Sequence, residues 1–356
     1  MATKAVEVQA GGRAVRVTSP DRVIYEATET TPEATKLQVV EYYLAVEVGV
    51  MRALRDRPTA LERWPSGVRS GMRLATRGND RDADAFYSKR MPKGAPDWVE
   101  GVEITFPSGR TATEVCPTEI ATVAWAAQMG TLTFHPWPVR RTDVDHPDEL
   151  RIDLDPQPGT DFADAARVAL EARGLLEEVG LVGFPKTSGN RGVHIYVRLV
   201  PEWDFVDVRH AAIAFGRALE RRTTGVTTAW WKEERGENVF VDFNQNSRDR
   251  TIASAYSLRP IPGAPVSTPL AWEELEGLDP RTLNLHTVPE RIAERGDPMA
   301  AIDDHAGRLD TLLQMYADDI DSGLTDMPYP PDYPKMPGEP PRVQPSRKNP
   351  ANWADE

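Results

Sequence analysis

The stretch Glu149 to Gly159, ELRIDLDPQPG, constrains the fold more than any other part of the chain. On an extended strand alternate side chains share a face, so Leu150, Ile152 and Leu154 point one way and Asp153 and Asp155 the other. The first set asks for an apolar layer. The second places two like charges side by side, which is costly unless something cationic sits between them. A divalent metal supplies that charge, and hard oxygen ligands suit Mg²⁺ or Mn²⁺. Two solvated carboxylates on an exposed strand face are the plainer alternative.

A third carboxylate follows in NVFVDFNQN, where Val239 to Phe243 reads as a buried strand that carries Asp242. A buried carboxylate needs a partner, either a salt bridge or a metal. Together Asp153, Asp155 and Asp242 can hold two ions about 3.5–4 Å apart, as phosphoryl-transfer chemistry requires. In that arrangement one ion activates the attacking hydroxyl and the other neutralises the leaving pyrophosphate.

Two further stretches suit a nucleotide. KTSGNRGVHIYVRL places Ser188 and a turn from Gly189 to Gly192, whose amides can face phosphate oxygens, before a strand from Val193 to Leu199. There His194, Tyr196 and Arg198 share a face opposite the apolar residues, so His194 is expected outside the apolar layer with Arg191 and Arg198 near it. QNSRDRTIASAYSLRP then sets Gln245, Arg248, Arg250 and Arg259 after Asp242. Guanidinium groups meet phosphate bidentately, whereas surface arginines paired with acids are the ordinary alternative.

Around these motifs the chain alternates strands and helices: a strand Leu150–Asp155, a helix Phe162–Val179 and a helix Val206–Arg222 predict a mixed α/β core. Before it, helical spacing of Leu37, Val40, Leu44, Val48, Met51 and Leu54 predicts one amphipathic helix from Thr35 to Arg57. A second helix is expected from Pro117 to Met129. Arg69 to Ala85 reads as a long exposed loop, Leu309 to Ile320 as an acidic helix, and the Pro-rich stretch from Asp326 as an extended or disordered tail. The expected division is a catalytic domain over 1–325, with subregions at about 1–138, 139–262 and 263–325, and a tail over 326–356.

A net charge of −13 over 356 residues argues at first against a nucleic-acid partner. Its distribution weakens that objection, because Met51 to Ala95 carries eleven Lys or Arg against five Asp or Glu, and phosphate binding follows the local field. The single Cys116 excludes an internal disulfide and a cysteine zinc site. No signal segment and no run of eighteen apolar residues is found, so a cytoplasmic, nucleoid-associated protein is expected.

The order D-L-D, S-G-x-x-G-x-H and V-D-F-N-Q-N…Y-S-L-R resembles the three motifs of archaeo-eukaryotic primases. It is most similar to the polymerase domain of bacterial ligase D, of non-homologous end joining, from about Val17 to Tyr316. PDRVIY, RPTALERWPSG, AFYSKRMPKGAPDW and TLTFHPWPVR belong to the same likeness. The resemblance implies an α+β primase-polymerase fold: two mixed or antiparallel sheets, an RRM-like catalytic module and flanking helices. It implies a primer-extending nucleotidyltransferase, templated or template-independent, that favours ribonucleotides and takes two Mn²⁺ or Mg²⁺ ions. Asp153, Asp155 and Asp242 fall on its metal ligands, and Ser188, Arg191, His194, His135, Gln245 and Arg259 on or beside its nucleotide contacts. Phe86 and Tyr87, with Lys89 and Arg63, match its template platform, and Arg22 and Lys36 its grip on a 5′-phosphate. Arg191 stands where the family has lysine, and the loop at Arg69–Ala85 is longer than usual.

The chain contains no K-x-D-G lysine of an adenylating ligase and no histidine cluster of a phosphoesterase. The implied protein is therefore free-standing, like the actinobacterial paralogues, with a DNA ligase and an end-binding protein supplied in trans. Its substrates are nucleoside triphosphates and DNA ends or primer-templates with a 5′-phosphate. A D-x-D sugar transferase explains neither Asp242 nor the S-G-x-x-G-x-H turn. A non-catalytic DNA-end binding module of a repair complex gains nothing from three acids facing phosphates.

Overall fold

The structure is a computed structural model that describes residues 4–75, 80 and 82–329. It opens with a hairpin, β1 (Ala5–Ala10) and β2 (Arg13–Thr18), and a short pair, β3 (Val23–Tyr25) and β4 (Ala34–Thr35). Thr35 then caps α1 (Lys36–Ala45) in a box closed by Gln38, whose side chain accepts from the Thr35 amide at 2.8 Å. The predicted single helix does not continue. The backbone leaves helical geometry at Val46 (φ −103°, ψ 21°), and α2 (Glu47–Leu54) follows. The two segments pack on different partners, and the buried stripe shifts with them to Val46, Val50, Met51 and Leu54, which leaves Val48 67% exposed. Gly49 allows the turn of α2 to lie against the ring of Tyr256, since a Cβ there would meet that ring at 2.1 Å.

A first sheet is built from β5 (Thr59–Arg63), β6 (Phe86–Ser88), β7 (Gly101–Thr105), β8 (Thr111–Val115) and, after α3 (Ile120–Gln128), β9 (Thr131–Pro136). Helix α3 begins three residues after the expected Pro117 and is capped at Glu119. Its stripe of alanines is buried against α1 and β2.

The second sheet carries the motifs. Strand β10 (Glu149–Pro156) is followed by α4 (Phe162–Glu178), β11 (Gly183–Thr187), β12 (Val193–Arg198), α5 (Phe205–Arg222), β13 (Val226–Thr227) and β14 (Val239–Val241). Their order is β11-β12-β10-β14-β13, antiparallel except for β13 beside β14. Helices α4 and α5 start where Asp161 and Asp204 accept amide protons of the first turn, and both cover one face of the sheet. Leu150, Ile152, Leu154, Val193 and Ile195 are buried there, as the alternation predicts. The strand at Val239 stops at Val241, two residues short of expectation, because Asp242 caps a short 3₁₀ turn over Phe243–Asn246.

Two short helices, α6 (Val288–Arg295) and α7 (Asp310–Asp321), close the C-terminal side, with α7 against α5. The first residues of the expected tail are anchored there. Arg209 donates to Asp326 at 3.1 Å and to the Pro328 carbonyl at 3.1 Å, and it lies 5.2 Å from the Tyr329 ring centroid. A buried guanidinium that needs acceptors explains why Asp326–Tyr329 is held, and the rest of the tail lies outside the described residues. Part of the Arg69–Ala85 loop is also outside them, and the described part is largely exposed, apart from a Leu74–Ala85 bridge.

The two sheets are joined by polar contacts. Arg151 of β10 donates to the Pro136 carbonyl of β9 at 2.8 Å, and the Ser254 amide donates to the Phe134 carbonyl at 2.9 Å. Beneath them Arg57, Asp148, Glu149, Arg151 and Arg198 form a buried ion network: Arg57 binds Glu149 at 2.9 Å, and Arg198 binds Glu149 at 2.9 Å and Asp148 at 3.2 Å. The guanidinium groups hold both carboxyls well below the usual carboxylate range.

Candidate active site

Strand register assembles the site on the sheet face opposite α4 and α5. Antiparallel pairing sets Lys186 of β11 beside His194 of β12, and His194 beside Asp153 of β10. Past the end of β14, the Asp242 amide donates to the Asp153 carbonyl at 2.9 Å. Lys186, His194, Asp153 and Asp242 thus line up across neighbouring strands, with Asp155 one pleat further along β10. Asp153 and Asp242 are partly buried and Asp155 is exposed.

Asp153 has its carboxyl pushed well above the usual range, first by burial and then by the charges of Asp242 and Asp155. Burial also raises Asp242, against the field of Arg250 and a hydrogen bond from Gln245 at 2.9 Å. Gln157 donates to Asp155 at 3.1 Å. Among the described residues none of the three forms an ion pair with Lys or Arg; the nearest charged contact is His194 Nε2 to Asp153 at 3.4 Å. Among the described residues no three His, Cys, Asp or Glu side chains are grouped tightly enough to ligate one ion, so the aspartates form a row rather than a cage. A row of carboxylates that no Lys or Arg among the described residues pairs directly is nevertheless a donor set of the hard-oxygen kind that suits divalent cations.

The cations stand to one side. The Arg259 guanidinium is within electrostatic range of Asp153, His194, Lys186, His135 and Tyr87, and its Nε is buried without a hydrogen-bond partner. Gly189, at φ +74°, lets this arginine pass over the S-G-x-x-G turn, since a Cβ there would meet Arg259 Cγ at 2.4 Å. At Gly192 a Cβ would sit 2.7 Å from the Leu154 carbonyl, so the turn presses directly onto β10. Two of the turn's amides are not free for a phosphate, however: Ser188 Oγ accepts from Asn190 at 3.2 Å and from Gly192 at 3.0 Å.

Expected neighbours of His194 are also revised. Arg191 is exposed on the turn, and Arg198 is drawn into the buried ion network. Instead Lys186, fully buried, contacts His194 Nδ1 at 2.8 Å. The far end of the site is His135, which meets Glu62 at 2.8 Å and the Tyr87 ring edge-on at 5.3 Å. Burial lowers the pKa of His135 despite that carboxylate. Lys186 opens the stretch KTSGNRGVHIYVRL and Glu62 lies inside RPTALERWPSG, but neither is given a role there. A charged residue inside a strand was the only signal for either.

Phe86 and Tyr87 are 39% and 41% exposed, so neither ring is core. Pairing of β5 with β6 places Arg63 beside Phe86, its guanidinium 5.1 Å from the ring centroid, while it donates to the Met129 carbonyl at 2.9 Å. Lys89 is paired with Asp249 at 2.6 Å, which reduces its value as a free cation. Arg248 binds Asp145 at 2.9 Å, as a surface arginine would. Arg22 and Lys36 do come together: the Lys36 amide donates to the Arg22 carbonyl at 2.8 Å, and neither side chain has a carboxylate partner among the described residues. Burial, with a contribution from Arg22, brings the Lys36 ammonium down to about 8.

Comparison with known proteins shows what the chain is similar to. A family model, LigD primase-polymerase domain, matches residues 35–299. The multifunctional non-homologous end joining protein LigD of Mycolicibacterium smegmatis is 32% identical over 327 residues, 90% of this chain and 40% of that protein. The bifunctional non-homologous end joining protein LigD of Bacillus subtilis is 29% identical over 291 residues, 80% of this chain and 43% of that protein. The chain therefore spans about two fifths of these relatives. The polymerase domain of Mycobacterium tuberculosis ligase D, solved in complex with DNA, superposes with a TM-score of 0.71 at 32% identity, covering 82% of this chain and 99% of that one.

Proposed function

Because the chain belongs to the LigD primase-polymerase domain family, we propose that it is a nucleotidyltransferase that extends DNA ends in repair by end joining. The observation that carries this reading is the row of Asp153, Asp155 and Asp242, without a direct Lys or Arg ion pair among the described residues, next to the unpartnered Nε of Arg259.

Asp153, Asp155 and Asp242 would hold two Mn²⁺ or Mg²⁺ ions. Bound there, the ions would supply positive charge that favours loss of the primer hydroxyl's proton to solvent water and offsets the charge of the departing pyrophosphate. The rest belongs to the chain. The primer 3′-oxygen forms its bond to the α-phosphorus as the bond from that phosphorus to the pyrophosphate oxygen breaks. Arg259 and His194 bind and orient the triphosphate, and the Ser188 turn holds β12 against β10 so that His194 faces Asp153. Gln245 fixes the rotamer of Asp242. His135, braced by Glu62, contacts the nucleotide from the first sheet. Phe86 and Tyr87 stack on the template, and Arg22 and Lys36 bind a downstream 5′-phosphate. A DNA ligase activity and an end-binding protein act on the same ends, and ribonucleotides are the favoured substrates.

Primer extension on a 5′-phosphorylated gapped duplex tests this, with Mn²⁺ or Mg²⁺ and each nucleotide class supplied separately. Extension, faster with ribonucleotides, is expected. Tight DNA binding with no extension in either metal would replace this reading with that of a non-catalytic end-binding module.

A further inference from the structure

Lys186 is a fully buried lysine without an ion-pair partner among the described residues. Its Nζ has three neighbours of acceptor type: His194 Nδ1 at 2.8 Å, the Thr187 carbonyl at 3.4 Å, and Ser267 Oγ. Ser267 in turn gives its own hydroxyl proton to the Thr187 carbonyl at 2.7 Å, which leaves its oxygen to accept. Burial and the charge of Arg259 pull the Lys186 pKa well below the ordinary lysine value, against the field of Asp153; the charged form, with three donors and no acceptor, is the one that matches three acceptors. Opposite an ammonium, His194 Nδ1 can only accept, and a neutral imidazole that accepts at Nδ1 carries its proton on Nε2. That Nε2 lies 3.4 Å from Asp153.

We propose that Lys186 is a positioning residue that fixes His194 as the Nε2–H tautomer and aims that N–H at Asp153 and the incoming triphosphate. The proposal rests on the reading of His194 as a nucleotide contact. It adds the device that decides what His194 presents: a neutral hydrogen-bond donor rather than an imidazolium or a bare acceptor. A lysine with a merely structural role would satisfy its charge with a carboxylate; this one spends a hydrogen bond on a site histidine eight residues away. Strand pairing sets Lys186 directly beside His194.

Nitrogen-15 spectra of histidine-labelled protein test it without metal or nucleotide, with His194→Gln used to assign the signal. The wild type is expected to show an N–H signal at Nε2 and a hydrogen-bonded imine signal at Nδ1. In Lys186→Met the Nδ1 signal should move to that of an unbonded imine. The same variant should raise nucleotide KM roughly ten-fold, with a smaller change in kcat, as loss of one charge-assisted hydrogen bond predicts. A proton on Nδ1 in the wild type, or an Nδ1 signal indifferent to Lys186→Met, overturns the proposal. Should Lys186→Met not fold, the wild-type spectrum alone decides. If His194→Gln leaves nucleotide KM unchanged while the spectra are as expected, the nucleotide role of His194 fails and the hydrogen-bond device stands.

Discussion

Asp153 concentrates the cost of the site. Its carboxyl is held above its unfolded pKa by burial and by two neighbouring aspartates. A carboxyl raised in this way binds its proton more tightly in the folded chain, so above the unfolded pKa ionisation costs stability, and below it the cost disappears. In chelator-treated protein Asp153→Asn is therefore expected to raise Tm near neutral pH, with the gain fading toward about pH 4. Thermal unfolding at the two pH values checks this, and an unchanged or lower Tm at neutral pH would contradict it. At this scale the motif residues were legible, since carboxylates and arginines on apolar strands need a reason to be there. Their partners were not. Lys186 meets His194 across a strand pair, and Glu62 meets His135 across 73 residues of chain; neither register is written in local pattern. Arg198 shows the reverse case, a residue that shares a strand face with His194 yet serves the ion network below.

Among the elements, β6 is the shortest with a proposed function, and both of its leading rings face outward. Stacking contributes about 1–3 kcal/mol per base. Phe86→Ala or Tyr87→Ala should weaken template binding roughly five- to a hundred-fold and leave template-independent addition largely intact. Measuring both activities with Tm distinguishes this from a core role, in which Tm and both activities would fall together. At the start of α1, Lys36 is charged below about 8 and neutral above it. A 5′-phosphate selects the charged form, so the preference for phosphorylated over unphosphorylated ends should decline from about pH 7 to about pH 9. Equilibrium binding of the two DNAs tests this, and a preference constant across that range would remove Lys36 from the pocket. Helices α4 and α5 were readable because apolar spacing and an Asp cap coincide in each. The division at Val46 was not, because it follows from two different packing partners and from Gly49 against Tyr256, some two hundred residues away in sequence.

For the whole molecule, the buried network around Arg57 ties the segment just ahead of β5 in the first sheet to β10 in the second. Removing one member of a buried network leaves its partners unpaired, a loss of about 3–5 kcal/mol. Arg57→Met should therefore lower stability by that order in denaturant unfolding, and a change within about 0.5 kcal/mol would show that the network is dispensable. Such a loss would also disturb chemistry, because Glu149 and Arg151 of the network lie on the strand that carries Asp153. The sharpest test of the account remains the aspartates themselves. Rates of nucleotide addition in Mn²⁺ for Asp153→Asn, Asp155→Asn and Asp242→Asn should fall by orders of magnitude while each variant keeps a folded Tm. Retention of more than about a tenth of the wild-type rate in Asp153→Asn, a loss of under about 1.4 kcal/mol in transition-state stabilisation, would contradict it.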